Sequence, residues 1–197
     1  MDTTNVDRVE KLGMPIPAAQ PPPMRHAAPH MSSSQIRPAT EADLPVLGRL
    51  GARLVKSHHG FDSQRFMKPG DDIEAGYAWF LGTQLKVPTS IILVAVNDDD
   101  KVVGYIYAGI EPQSWKDLRD EAGFIHDVVV DDAFDGQGLG SRLVEAAAEW
   151  LEAKGAPRVI LLTAENNRAA QQLFLRLGFR RTMIEMTREK GKRRCAS

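Results

Sequence analysis

One cysteine in 197 residues, Cys195 near the C-terminal end, excludes an internal disulfide and a metal cluster built on cysteines. The same scarcity fits a reducing cytoplasm, and a cytoplasmic protein is expected. No apolar run approaches the length that crosses a bilayer, so no membrane partner is expected. The charge is balanced: 25 Lys and Arg against 26 Asp and Glu leave a formal net charge of -1, which gives no electrostatic case for nucleic acid. The N-terminal stretch lacks the basic start and apolar centre of a secretory signal. Two common nucleotide fingerprints are missing as well. The loop Gly136-Gln137-Gly138-Leu139-Gly140 is spaced Gly-x-Gly-x-Gly rather than Gly-x-Gly-x-x-Gly, and no Lys-Ser/Thr follows it as a Walker loop requires.

What remains is ordinary globular material, with 43% hydrophobic and 26% charged residues, in a length that suits one domain with one substantial core. Residues 1–33 differ from the rest. Pro15, Pro17, Pro21, Pro22, Pro23 and Pro29 lie among Ala, Gln and Ser with no apolar period, so a flexible tail is expected there. Met24 and Met31 are alternative start positions, and His26 and His30 read as solvated. At the other end, the basic run from Arg188 to Arg194 reads as a solvated tail, which sets the folded domain at 34–188.

Within that domain the elements follow from periodicity and turn chemistry. Gln35 to Pro38 is a short strand candidate. Thr40 and Asp43 form a capping-box-like start to a helix whose apolar residues Leu47, Leu50, Leu54 and Val55 recur at helical spacing. His58-His59-Gly60 is expected to end it. A second helix is expected over 71–86 with a stripe of Ile73, Tyr77, Phe80, Leu81 and Leu85, and the loop between the two carries His58, His59 and Asp62, a metal or substrate group only if it is more than a solvated turn. Ser90–Asn97 and Lys101–Ile110 read as a hairpin about the Asp98-Asp99-Asp100 turn. After the irregular stretch from Glu111 to Glu121 comes the run Phe124 to Val130, then the glycine loop, then a helix with Leu143, Val144, Ala147, Trp150 and Leu151 on one face. A strand over 158–163, a helix over 167–176 stopped by Gly178, and a last strand over 179–187 complete the order β-α-α-β-β-β-α-β-α-β.

The glycine loop is the chemically informative stretch. Glycine adopts positive φ without a Cβ clash, so such a loop can turn successive amides inward. Followed by a helix N-terminus, these amides make a concave, partly positive site suited to a phosphate or pyrophosphate. A plain tight connection between strand and helix is the alternative reading of the same glycines.

Together, the stretch Asp127 to Gly140 and the stretch Asn167-Arg168-Ala169-Ala170-Gln171-Gln172-Leu173-Phe174-Leu175-Arg176-Leu177-Gly178-Phe179 resemble the GNAT acetyltransferase family, over about residues 34–188. The resemblance implies an α/β fold with a mixed, strongly twisted sheet, splayed open beside the central strand and flanked by helices. It implies acetyl-CoA as cosubstrate, with no metal. The pyrophosphate would lie on the amides of Gly136, Gln137, Gly138, Leu139, Gly140 and Ser141, and the pantetheine arm on the main chain of Val128, Val129 and Val130. Asn167 falls where the family often has an asparagine touching the pantetheine, and Arg142 and Arg168 are candidates for the adenosine phosphates or for solvated helix surface.

Two positions depart from the family's pattern. Asp135 stands where Arg or Gln is frequent, and a carboxylate there would cost a bound pyrophosphate about 1 kcal/mol at water-like screening unless it points away. Phe174 stands where many members carry a tyrosine that protonates the leaving thiolate. Phenylalanine cannot donate a proton, and it reads as packing beside the cofactor site. A thiol pKa of about 8.5 lets water serve instead.

The implied chemistry needs a base for the amine and a donor for the oxyanion of the tetrahedral intermediate. His126, at a position where some members acting on small amines carry glutamate, has an unperturbed pKa of about 6.5 that suits the first role; a sheet-surface histidine is the alternative. A backbone N–H of Val128 or Val129 suits the second. Strict alternation sends Asp127 to the face opposite His126, with the following loop as its expected partner, and Glu111 and Glu185 are weaker base or amine-binding candidates. Transfer of acetyl to a primary amine of a small molecule is the leading expectation. A peptide N-terminus or lysine as acceptor, and a non-catalytic acyl-CoA-binding module, are the alternatives. Family members are often homodimers, and a homodimer is possible here.

Overall fold

The computed structural model describes residues 34–191; the proline-rich stretch 1–33 and the last residues of the basic tail lie outside it. Five strands form one sheet in the order β1-β2-β3-β4-β5: β1 (Gln35–Pro38), β2 (Ser90–Val96), β3 (Val102–Glu111), β4 (Ala122–Val130) and β5 (Val159–Leu161). The first four are antiparallel in sequence order, and β5 joins β4 in parallel after a helical crossover. The sheet is therefore mixed, because a parallel neighbour can only be reached through such a crossover.

Helices cover both faces. On one, α1 (Leu44–Phe61) and α2 (Ile73–Gln84) place Leu47, Leu50 and Leu81 against Ile92, Val94, Tyr105, Tyr107 and Val129. On the other, α3 (Leu139–Ala153) and α4 (Arg168–Arg176) place Leu139, Leu143, Val144, Ala147, Leu151 and Phe174 against Ala95, Val103, Ile106 and Ile125. The strands of β2 and β3 are buried nearly throughout because both faces are covered, which is why they read as continuous apolar runs.

Three expectations need correction. The first helix does not stop at His58-His59-Gly60 but runs on to Phe61. An internal glycine costs a helix only about 1 kcal/mol relative to alanine, and the last turn is held by the edge-on packing of the His58 ring against Phe61 and Phe66, at 5.8 and 4.9 Å between centroids. The stop comes at Asp62, which turns extended and accepts the amides of Gln64 and Arg65 at 2.9 and 3.2 Å.

The expected last strand over 179–187 does not form. The strand edge beside it in chain order is that of β5, which is three residues long. Local side-chain bonds hold the segment instead: Arg181 donates to Gln171 Oε1 at 2.6 Å, and Arg65 on the α1–α2 connection donates to Glu185 Oε2 at 2.9 Å, while Met183, Ile184 and Met186 stay in solvent. Glu185 is thereby engaged far along the chain from Glu111 and His126. The third correction, to the direction of Asp127, belongs to the site.

The start of the domain is fastened by one carboxylate. Asp43 receives both guanidinium nitrogens of Arg37, at 2.8 and 3.0 Å, and the amide and hydroxyl of Thr40, at 2.8 and 3.0 Å. These donors, Arg37 first, hold its pKa down at about 2 against burial. A carboxyl lowered on folding stabilises the native state above its unfolded pKa, near 3.8, and that contribution disappears as pH falls through the folded value. Asp43→Asn should therefore cost on the order of 2 kcal/mol at neutral pH, and the difference from the parent in urea unfolding should shrink toward zero as pH falls from 4 to 2.

Candidate functional site

The site is organised by the parting of β4 from β5. The parallel register runs Gly123↔Val159, Phe124↔Ile160, Ile125↔Leu161 and then ends, while β4 continues to Val130. Asp131 N–H donates to Val103 O at 2.7 Å and Val129 lies opposite Tyr105, so the odd-numbered residues at this end of β4 bond to β3. Val128 and Val130 therefore turn their N–H and C=O groups toward the gap, and Val129 turns its own toward β3. The Val130 carbonyl accepts from Arg53 Nη2, and Arg53 also pairs with Asp131 and Asp132 at 3.6 and 3.3 Å. Val128 keeps an open amide and carbonyl on the edge of the gap.

Beyond β4, a single turn over Asp132–Phe134, with Asp131 Oδ1 accepting the Ala133 amide at 3.3 Å, leads into the glycine loop. Gly136 and Gly138 have φ of +74° and +77°, and Gly138 is the residue that starts α3. A side chain at either would be strained by its backbone alone. The first helical bond is donated by Arg142 N–H to Gly138 O at 3.2 Å, so the amides of Leu139, Gly140 and Ser141 precede it. They sit at the positive end of the α3 dipole, next to the open end of β4. The Asp135 side of the loop is exposed to water.

His126 lies where β3 and β4 fall out of step. Tyr107 pairs with Asp127 and Ala108 with Ile125, leaving His126 as the extra residue of a β-bulge. The bulge corrects the expectation that His126 and Asp127 face opposite ways. His126 stacks between Tyr107 and Phe124, at 4.7 and 4.9 Å between centroids, while Asp127 Oδ2 accepts the hydroxyls of Tyr77 at 2.7 Å and Tyr105 at 3.1 Å. Tyr105 and Tyr107 alternate onto one face of β3, so both residues after Ile125 point to the α1–α2 side. Asp127 does not serve the following loop either; Asp131 does.

Glu111, the last residue of β3, brings Oε1 to 3.2 Å from His126 Nε2, with the two side chains 38% and 27% exposed. Burial pushes the His126 pKa down, while Glu111 and Asp127 pull it up; the net direction is down, which favours neutral imidazole near pH 7. Burial also raises Asp127, against the lowering effect of the two tyrosine hydroxyls. Tyr107 is pushed up to about 12, chiefly by burial, and Tyr77 and Tyr105 are held above the ordinary phenol range for the same first reason, so all three are O–H donors and not phenolates.

Residues 55–179 match the Acetyltransferase (GNAT) family. The chain belongs to the GNAT acetyltransferase family. It is 28% identical over 144 residues to an uncharacterized N-acetyltransferase of Methanocaldococcus jannaschii, covering 73% of this chain and 59% of that one. A mycothiol acetyltransferase of Saccharopolyspora erythraea is 35% identical over 89 residues, 45% of this chain and 27% of its own length. The chain thus spans between about a quarter and three-fifths of these relatives. In fold it matches the aminoglycoside N-acetyltransferase AAC(6')-Iy solved with CoA, with TM-score 0.64 and 20% identity over 84% of this chain and all of that one. The family uses acetyl-CoA, and the mixed sheet flanked by helices is that of these structures.

Within the GNAT domain, the structure places His126 at the bulge midway along β4, Val128 and Val130 on the gap edge toward the end of that strand, and the loop 136–141 beyond it. Other expected residues have local partners. Asn167 caps α4, its Oδ1 accepting the Ala170 amide at 3.1 Å. Phe174 is 6% exposed in the α3–α4 core, edge-on to Phe179 at 5.9 Å. Arg142 donates to the Ser34 carbonyl, and Arg168 pairs with Glu165 at 3.6 Å. His58 Nδ1 lies 2.9 Å from Leu54 O, and no group of three or more His, Cys, Asp or Glu among the described residues could hold a metal ion. No described helix is long and apolar enough to cross a membrane.

Sequence reading missed Tyr77, Tyr105 and Arg53. Alternation of Tyr105 and Tyr107 was a signal that both point one way, but pairing either with β4 requires the register. Tyr77 reaches Asp127 because α1 has no side chain at Gly51: a Cβ built there would lie 2.0 Å from Tyr77 Cδ1. Gly51→Ala should displace that ring and destabilise the fold by about 1–3 kcal/mol, as overpacking does. Thermal unfolding measures the loss, and reduced activity alongside it is expected because the displaced tyrosine is a partner of Asp127.

Proposed function

We propose that the protein is an acetyl-CoA-dependent N-acetyltransferase that moves the acetyl group to a primary amine of a small molecule, within a domain of residues 34–188. The observation that carries this reading is the open edge of β4 at Val128, with His126 one bulge away and the glycine loop beyond it. An extended amide chain such as the pantetheine arm can bond to the Val128 amide and carbonyl and the Val130 amide as a substitute strand, whereas Val129 turns its main chain to β3 and its side chain into the α1–α2 core. The amides of Gln137 through Ser141 suit the pyrophosphate, Gly136 supplying the turn that aims them.

In the reaction, neutral His126 takes a proton from the attacking ammonium, and Glu111 stabilises the imidazolium that results. The nitrogen then attacks the thioester carbonyl, and the Val128 amide is the donor for the oxyanion. Collapse of the intermediate breaks the C–S bond and releases the thiolate, which needs no acid in the place of Phe174, since a thiol pKa of about 8.5 makes it a tolerable leaving group. The second proton on the nitrogen passes through water to that thiolate. A peptide N-terminus is the second reading. It is favoured by a relative named N-alpha-acetyltransferase 30 of Schizosaccharomyces pombe, 29% identical over 82 residues. Acetylation assays on a mixture of small amines and peptides separate the two. A cytoplasmic setting belongs to the same proposal.

Isothermal titration with acetyl-CoA should give micromolar binding, and Gly138→Asp should weaken it by at least about tenfold, since a charge and a strained backbone enter the cradle. Unchanged affinity in that variant would remove the loop as the pyrophosphate site. His126→Ala should lower kcat by roughly 100-fold, the scale of a lost general base, with acetyl-CoA affinity preserved. A pH–rate profile that keeps its acid limb in this variant would exclude His126 as the base.

A further inference from the structure

Two tyrosines tie helix α2 to β4, beside His126, and to its neighbour β3. Tyr77, on α2, donates to Asp127 Oδ2 at 2.7 Å, and Tyr107, on β3, donates to Gln84 Oε1 of α2 at 2.8 Å. The Tyr107 ring is also the surface on which the His126 ring stacks, 22° from parallel. Asp127 is the residue after the bulge, pinned by a second hydroxyl from Tyr105. A bulge residue has no cross-strand partner of its own, so its direction depends on its neighbours being held.

We infer that Asp127 is a positioning residue for His126: clamped by Tyr77 and Tyr105, it holds the bulge in place and keeps a negative charge behind the imidazole, so that the docking of α2 sets both the direction and the protonation of His126. This deepens the proposed role of His126 as base and rests on it for its catalytic consequence. The groups facing the imidazole are Tyr107 and Glu111 from β3, with Tyr105 behind them; Phe124 and Asp127 come from β4, and Tyr77 from α2 bears on it through Asp127. On α1, His58 acts electrostatically on Asp127. Glu111 and Asp127 both favour the imidazolium, and burial opposes them. Glu111 sits at the exposed mouth, where water screens it; Asp127 is nearly out of contact with solvent, where a charge acts over a longer range.

The test is the titration of the His126 ring by NMR in the full-length protein, with its signal assigned by its loss in His126→Ala. Asp127→Asn keeps the shape and can still accept a tyrosine hydroxyl, but it removes the charge. The midpoint of His126 should fall by at least about half a unit, and the acid limb of kcat/KM should move the same way with acetyl-CoA affinity unchanged. Tyr77→Phe keeps the carboxyl but takes away a donor to its ionised form, so the same midpoint should fall by less. This second variant also serves if the first does not fold. An unmoved His126 midpoint in a folded variant of either kind overturns the inference. The titration is read without turnover, so failure of His126 as base would show as an unchanged rate in His126→Ala and leave the NMR result standing on its own.

Discussion

Once β5 ends beside Ile125, β4 runs on with one edge off any strand ladder, Val130 O taken by Arg53, and a strand cannot leave main-chain donors and acceptors unsatisfied in a dry interior. Water can satisfy them, or a ligand with alternating amides can. The gap stays open because β5 is only three residues long and the chain leaves the sheet after Leu161, reaching the Asn167-capped helix by a short irregular connection. The same parting brings the N-terminus of α3 beside the end of β4, because the crossover to a parallel neighbour must leave from that end. In the proposed reading, an extended amide chain and a pyrophosphate meet their partners in the order in which they occur along one cosubstrate, and neither needs a basic side chain. This is why Asp135, exposed on the loop, is compatible with the proposed cradle.

Much of this was legible in the sequence, and the limits are physical. Long periodic segments were readable: the stripes of α2 and α3 and the hairpin of β2 and β3 fall within a few residues of their expected places. The glycine loop was readable because positive φ restricts what can stand at Gly136 and Gly138. The bulge was not. Period-two alternation sends His126 and Asp127 to opposite faces, and only the register against Tyr107 and Ala108 shows the extra residue. The strand expected over 179–187 failed for a related reason: its composition suits a strand, but a strand needs a neighbour, and composition does not say how long β5 is. Gly51 carried no local sign either, since its role is the space it leaves for a ring from another helix.

The α1–α2 face has an unusual electrostatic balance. It buries one carboxylate and presents a second, yet among the described residues no lysine or arginine pairs with Asp127, which accepts two phenol hydroxyls instead. A phenol donates without adding charge, so the carboxylate keeps its field while its desolvation is partly offset. A guanidinium in the same place would have neutralised it and pushed a neighbouring imidazole toward the neutral form. With tyrosines, the field of Asp127 works against the burial of His126, and the two effects on the ring oppose each other.

That opposition has a consequence for proton transfer. A base desolvated without compensation becomes a poor one, since its protonated form finds no support when the proton arrives. A base beside two uncompensated carboxylates is already protonated near neutrality and cannot accept. As the proposed base, His126 lies between these limits: burial prevails in the resting ring, while Glu111 and Asp127 favour the imidazolium. Both carboxylates are reached through β3, one at its end and one through Tyr105, so the strand that carries the core of the sheet also sets the electrostatic surroundings of His126.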